Sequence, residues 1–168
     1  MRKVLIFITL AILVTGPCLS ARSVRKAAVQ SVITQYKGQD GVEVVSIGPL
    51  MMKVLVSAAK SEAKTQEDRE AVDLLREIRK MLAMNYNEAP EGLRAQISRD
   101  LASALRNADK LMEAKGDNGE MMQVYGSTDS DGQILKDVVL FAPESATILC
   151  IFGTFAIDQL GRLIEVAE

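Results

Sequence analysis

Residues 121–156 read MMQVYGSTDSDGQILKDVVLFAPESATILCIFGTFA. Within them, apolar or alternating runs at Met121–Tyr125, Gln133–Phe141 and Ala146–Thr154 are separated by Ser127–Gly132 and by Ala142-Pro143-Glu144-Ser145. Short runs rich in Val, Ile and Phe between turn-forming residues fit β-strands. Connections this brief join strands antiparallel, because a parallel crossover needs a dozen or more residues. Just upstream, Leu111–Ala114 is set off by Gly116-Asp117-Asn118-Gly119 and adds a fourth strand. The C-terminal half therefore predicts an antiparallel meander. After it, Ile157, Leu160, Ile164 and Ala167 share one side of a final helix.

The N-terminal half carries helical periods instead. Val24, Ala28, Val32 and Tyr36 recur every fourth residue, which predicts a helix over 24–36. Gly38 stops it, and Gln39-Asp40-Gly41 turns the chain into a β-branched strand at Val42–Ile47. Pro49 suits the first turn of the next helix, in which Leu50, Met51, Val54, Leu55 and Ala58 form the apolar face. Thr65 caps a restart whose first turn holds Glu67, Asp68 and Glu70, acids that favour the positive helix end. Met81 to Tyr86 predicts a strand beginning near residue 79. Pro90 then opens a helix with the stripe Leu93, Ile97, Leu101, Ala104, Leu105 and Ala108. No period repeats and no low-complexity linker divides the chain. The expected architecture is one α+β domain over residues 22–168: a mostly antiparallel sheet with a C-terminal meander and helices packed on one face.

Residues 1–21 are read separately. Arg2 and Lys3 precede an apolar run from Val4 to Val14, broken only by Thr9, with small residues at Ser20 and Ala21. That is the pattern of a secretory signal peptide, and the run is shorter than the roughly 20 residues of a membrane span. Cleavage after Ala21 leaves 147 residues with 18 basic and 22 acidic side chains, a net of −4. Such a balance disfavours nucleic acid and anionic lipid as partners. Cys18 is a potential lipidation point, but Pro17 replaces the small residue that usually precedes a lipidated cysteine, so soluble export is expected.

The composition also removes chemistry. With no histidine and no tryptophan, a Ser–His–Asp or Cys–His mechanism is impossible and the commonest zinc and copper ligand is absent. Only six aromatic residues follow the signal, too few for stacking platforms that bind single strands or sugars. Cys150 lies in the run Ile148–Phe152 and reads as a small buried hydrophobe. Asp129-Ser130-Asp131-Gly132 has the alternating carboxylates of a calcium loop but lacks the further ligands and closing Glu, so Asp129 and Asp131 fit a hairpin turn better. Asp117-Asn118-Gly119-Glu120 is weaker still. Met81-x-x-Met84 has a spacing that copper(I) thioether sites use, yet methionine in apolar runs is ordinarily a gap filler. Ser57, Lys60 and Ser61 share a helix without an orienting base. No catalytic or cofactor-binding set emerges.

The pattern Tyr36-x-Gly38-x-x-Gly41-Val42-x-x-Val45-Ser46-Ile47 resembles the opening of a family of small exported Bacteroidetes proteins, domain-of-unknown-function family 4252. The leucine-rich helix end running into a strand, Leu74-Leu75-x-x-Ile78-Arg79-x-Met81-Leu82, fits the same family. So does the close on an apolar strand, Gly153 and a helix through Ile157, Leu160 and Leu163. The chain departs from the family in a long stretch from Asn85 to Arg106 and in Pro17. The resemblance implies an exported envelope protein linked to envelope signalling. Tyr36, Gly38, Gly41 and Gly153 are structural positions, and no catalytic residue is implied. From all this the expected function is a non-enzymatic periplasmic or secreted module that binds another protein or an envelope component. A small-ligand or ion-binding protein is the alternative.

Overall fold

The computed structural model describes residues 26–115 and 120–157. The predicted signal peptide with Cys18, Val24 of the predicted first helix, the turn expected at Gly116–Gly119 and the final helix expected beyond Ile157 fall on residues outside the described ones. In chain order the elements are α1 (Lys26–Tyr36), β1 (Glu43–Ile47), α2 (Pro49–Glu62), α3 (Gln66–Glu77) and β2 (Ile78–Asn85). There follow α4 (Glu91–Leu105), β3 (Asp109–Lys115), β4 (Met121–Thr128), β5 (Ile134–Ala142) and β6 (Thr147–Ala156). The six strands form one sheet in the order β1-β2-β6-β5-β4-β3, and every neighbouring pair is antiparallel. The α+β class and the C-terminal meander are as the sequence predicts.

The helices divide between the two faces of the sheet, where the sequence reading puts them all on one. Alternation along the strands requires this division. Leu82 and Met84 of β2, with Ile148, Cys150 and Phe152 of β6, point to one side, where Val29, Ile33 and Tyr36 of α1 and Ile97, Leu101 and Leu105 of α4 cover them. Met81 and Ile151 point to the other side, into a smaller cluster with Ile78, Leu135 and Phe155, covered by Met52 of α2 and Leu74 and Leu75 of α3. A strand apolar on both faces cannot leave either in water. Burying each large side chain contributes about 1.5–3 kcal/mol, so both faces recruit helices.

The first core shows how local signals were met. α1 buries Val29, Ile33 and Tyr36, one register on from the predicted stripe, with Ala28 and Val32 half-buried beside it. Tyr36 donates from its hydroxyl to Asp100 Oδ2 at 2.6 Å, joining α1 to α4. Burial, reinforced by that carboxylate, pushes the Tyr36 pKa up. Tyr86 is fully buried, and its hydroxyl lies 2.9 Å from Ser98 Oγ. Cys150 is buried without a disulfide partner; its apolar surroundings push the thiol up to about 12, so it stays a protonated hydrophobe. Thr65 and Asp68 make the reciprocal cap of α3: the Asp68 amide donates to Thr65 Oγ1 and the Thr65 amide to Asp68 Oδ2.

Two of the structural glycines have no substitute. Gly41 sits at φ +70, and a methyl there would run into the backbone of Glu88 and Ala89. Gly153 lies where β6 passes under the end of α3, and a methyl would strike the Glu77 carbonyl and the Phe155 ring. Gly38, at φ +86, ends α1 in open space. We therefore expect Gly153→Ala to cost about 1–3 kcal/mol, as overpacking does. Gly92→Ala should instead gain about 0.5–1 kcal/mol, because Gly92 is helical, its added methyl meets nothing, and alanine is the better helix former. Urea unfolding of the two variants checks the contrast; equal costs would mean that β6 and α3 do not meet closely at Gly153.

Candidate functional site

The helix that departs most from expectation is α2. Its predicted apolar face was Leu50, Met51, Val54, Leu55 and Ala58, yet Leu50 is 79% exposed, Val54 55%, Met51 54% and Leu55 41%. Met52 goes into the core instead, at 3% exposure, with Val56 and Ala59 half-buried on its side of the helix. The physical reason is that α2 has two apolar sides. Positions 52, 56 and 59 form one stripe and positions 50, 51, 54, 55 and 58 another, and the cluster around Ile78 and Phe155 takes the first. The larger stripe is left facing outward.

Beside it lies an open groove of about 440 Å³ between α2 and the junction of α3 with β2. Its floor is apolar, formed by Met52, Val56 and Ile78. Lys53, Lys60, Arg76 and Arg79 line it, with Ser57 and no carboxylate. Arg76 is tied to Asp73 at 2.6 Å. Among the described residues Lys53, Lys60 and Arg79 have no ion-pair partner. Ser61, which the sequence grouped with Ser57 and Lys60, donates to the Ala58 carbonyl at 2.7 Å and does not line the groove. With four cations and no carboxylate in its lining, this arrangement can attract and orient anions. Lys60 and Ser57 were visible in sequence as one polar helix side. Lys53 was unremarked, and Arg76 and Arg79 join only because α3 folds back against α2.

The other candidates go elsewhere. Asp129 Oδ1 accepts from the amides of Gln133 at 2.8 Å and Ile134 at 3.0 Å, closing the β4–β5 hairpin, in which Gly132 takes φ +68. The Ile134 amide above all holds its pKa below the ordinary carboxylate value. Among the described residues Asp131 accepts only from Ser130, at 3.3 Å. Met81 and Met84 are on opposite faces of β2, one in each hydrophobic cluster, because an odd spacing on a strand reverses direction, so they cannot clamp one ion. Among the described residues no three His, Cys, Asp or Glu side chains are grouped to hold a metal.

One constellation was missed by sequence reasoning. Asp137 stands at φ +49 in the bulge of β5, where its carboxylate accepts from the Gly153 amide at 3.3 Å and from Lys26 Nζ at 3.5 Å. The Lys26 ammonium also lies 4.4 Å from the centre of the Phe152 ring. An acid inside the apolar run Ile134–Ala142 was the only signal. The role it supports is structural, since it repairs the ladder that the bulge interrupts.

A family model described as Domain of unknown function (DUF4252) matches residues 36–163, starting at the tyrosine of the glycine pattern. No curated protein matches the chain, and no solved structure does.

The Asp129 geometry makes a direct prediction. A carboxylate whose pKa is depressed in the folded state contributes stability above its unfolded pKa and loses it as pH falls through the folded value. Asp129→Ala should therefore lower the melting temperature at pH 7, with the gap to wild type closing toward pH 2. Calcium at 10 mM should move neither protein. A calcium-dependent rise in wild type that disappears in Asp129→Asn/Asp131→Asn would make this hairpin an ion site.

Proposed function

The chain belongs to the DUF4252 family, and we propose that it works as an exported, envelope-facing module that binds another macromolecule and performs no catalysis. The observation that carries this reading is the outward stripe Leu50, Met51, Val54 and Leu55. Scattered apolar residues on a surface are ordinary, but several large ones on one helix, beside a cationic groove, mark an interaction site. The sheet supports the same reading. Val45, Ala83, Leu149, Leu140, Val124 and Met112 are register partners across all six strands. The outer members of that row, Val45 and Met112, are exposed.

The basic start and apolar run of residues 1–21, read as a signal peptide, support export to the periplasm or the cell exterior. No described helix is long and apolar enough to cross a membrane. The groove volume also falls in the range of small-ligand sites, roughly 300–1,000 Å³, which favours a ligand-binding protein as the second reading. The apolar surface continues well beyond the groove onto the outer side of α2, and this extent favours a macromolecule.

The test is comparative capture from envelope extracts of the host. Wild type should retain a component that Leu50→Ser/Val54→Ser loses, with the thermal melt of the variant unchanged. Identical capture by both proteins would remove α2 from the function.

A further inference from the structure

Which macromolecule α2 meets follows from two independent features of this one region. Around the helix, the outward apolar positions 50, 54, 58, 51 and 55 span an arc of roughly 140° at 100° per residue. Lys53 and Lys60 fall just outside that arc, on the side of Leu50, and Arg76 and Arg79 join them across the groove. Leu50, Met51, Val54 and Leu55 therefore stand in solvent with a bank of cations along one edge. No carboxylate lines the groove; of the acids on α3, Asp73 is engaged with Arg76, and Glu62 stands at the C-terminal end of α2. The chain as a whole is acidic, at −2 over 168 residues, yet the groove beside its exposed apolar stripe is lined by four cations. Net charge argued against anionic lipid, but contact is governed by the charge within a Debye length, about 8–10 Å.

We infer that α2 docks the protein onto an anionic membrane surface, with Leu50, Met51, Val54 and Leu55 entering the headgroup–acyl boundary and Lys53, Lys60 and Arg79 reaching lipid phosphates. This deepens the reading above by naming the partner of α2, and it rests on that reading. The arrangement is that of an interfacial helix, whose apolar side sinks roughly 5–10 Å while its lysines extend their stems along the boundary and keep their charges at the headgroups. α2 meets the requirement that such a helix be held by the fold and not need to form on contact, since Met52 anchors it to the core. A bilayer of anionic lipid supplies phosphates to that edge, whereas the groove of a second copy is lined by the same four cations and no carboxylate.

The experiment is sedimentation with vesicles, using the purified chain unaltered outside the named positions. Vesicles of phosphatidylglycerol and phosphatidylethanolamine at 30:70 should carry wild type down, and pure phosphatidylcholine should not. Raising NaCl to about 0.5 M should release it, as screening demands. Lys53→Ala/Lys60→Ala should weaken binding about 25-fold, fivefold for each cation lost near the surface. Leu50→Ser/Val54→Ser should abolish it while the far-ultraviolet spectrum and thermal melt stay as in wild type. Residues 1–25 are common to all the proteins, so a difference among them reports α2. Failure of wild type to sediment with anionic vesicles, or equal sedimentation of wild type and both variants, overturns the inference. A wild-type dimer in light scattering that becomes a monomer in Leu50→Ser/Val54→Ser also overturns it and gives the stripe to a second copy. Capture of an envelope protein that depends on α2, without vesicle binding, leaves the interaction module standing and removes only the membrane.

Discussion

β6 has no polar face. From Ile148 to Phe155 only Thr154 interrupts the apolar run, and the strand sits in the middle of the sheet between β2 and β5. Antiparallel sheets commonly show one side to water, but this one cannot. Ile148, Cys150 and Phe152 need cover on one face, and Ile151 and Phe155 need it on the other. That constraint divides the helices into α1 with α4 and α2 with α3. It also makes Gly153 indispensable, since α3 must come down onto the second face with its Glu77 carbonyl against the β6 backbone.

The two halves of the cover are unequal. α1 and α4 seal a large cluster that includes both buried tyrosines, each with its hydroxyl satisfied. The α2–α3 pair seals a small one, in which Met52 is the only fully buried contribution of α2. A helix that supplies one buried anchor yet carries two apolar stripes spends most of its hydrophobic surface on something other than the core. That imbalance separates α2 from the other three described helices, and two of the groove's four cations, Lys53 and Lys60, are on the same helix.

Much of the architecture was legible. The meander follows from runs and turn residues between Leu111 and Thr154, and the restart at Thr65 follows from a capping pattern whose hydrogen bonds are all local. Register on the helices was harder to read. On α1 the stripe shifted by one position because Val29, Ile33 and Tyr36 compete with Ala28 and Val32 at the same spacing, and larger side chains won the core. On α2 the helical period alone cannot say which of two apolar sides meets the sheet. The groove was invisible for a different reason. Lys53 and Arg79 are 26 positions apart in the sequence, and only the close packing of α2 against α3 and β2 brings them to one site. Asp137 was missed because a β-bulge depends on the mismatch between two paired strands, which no single run of residues records.

The account stands on the orientation of α2, and paired serine substitutions on its two sides measure that directly. Equilibrium urea unfolding of Met52→Ser should show a loss of about 2–4 kcal/mol, from a cavity and a hydroxyl placed in the second core. Val54→Ser, two positions on and facing out, should stay within about 0.5 kcal/mol of wild type. A Val54→Ser loss equal to or larger than that of Met52→Ser would put the stripe inside the fold and leave no outward surface to explain.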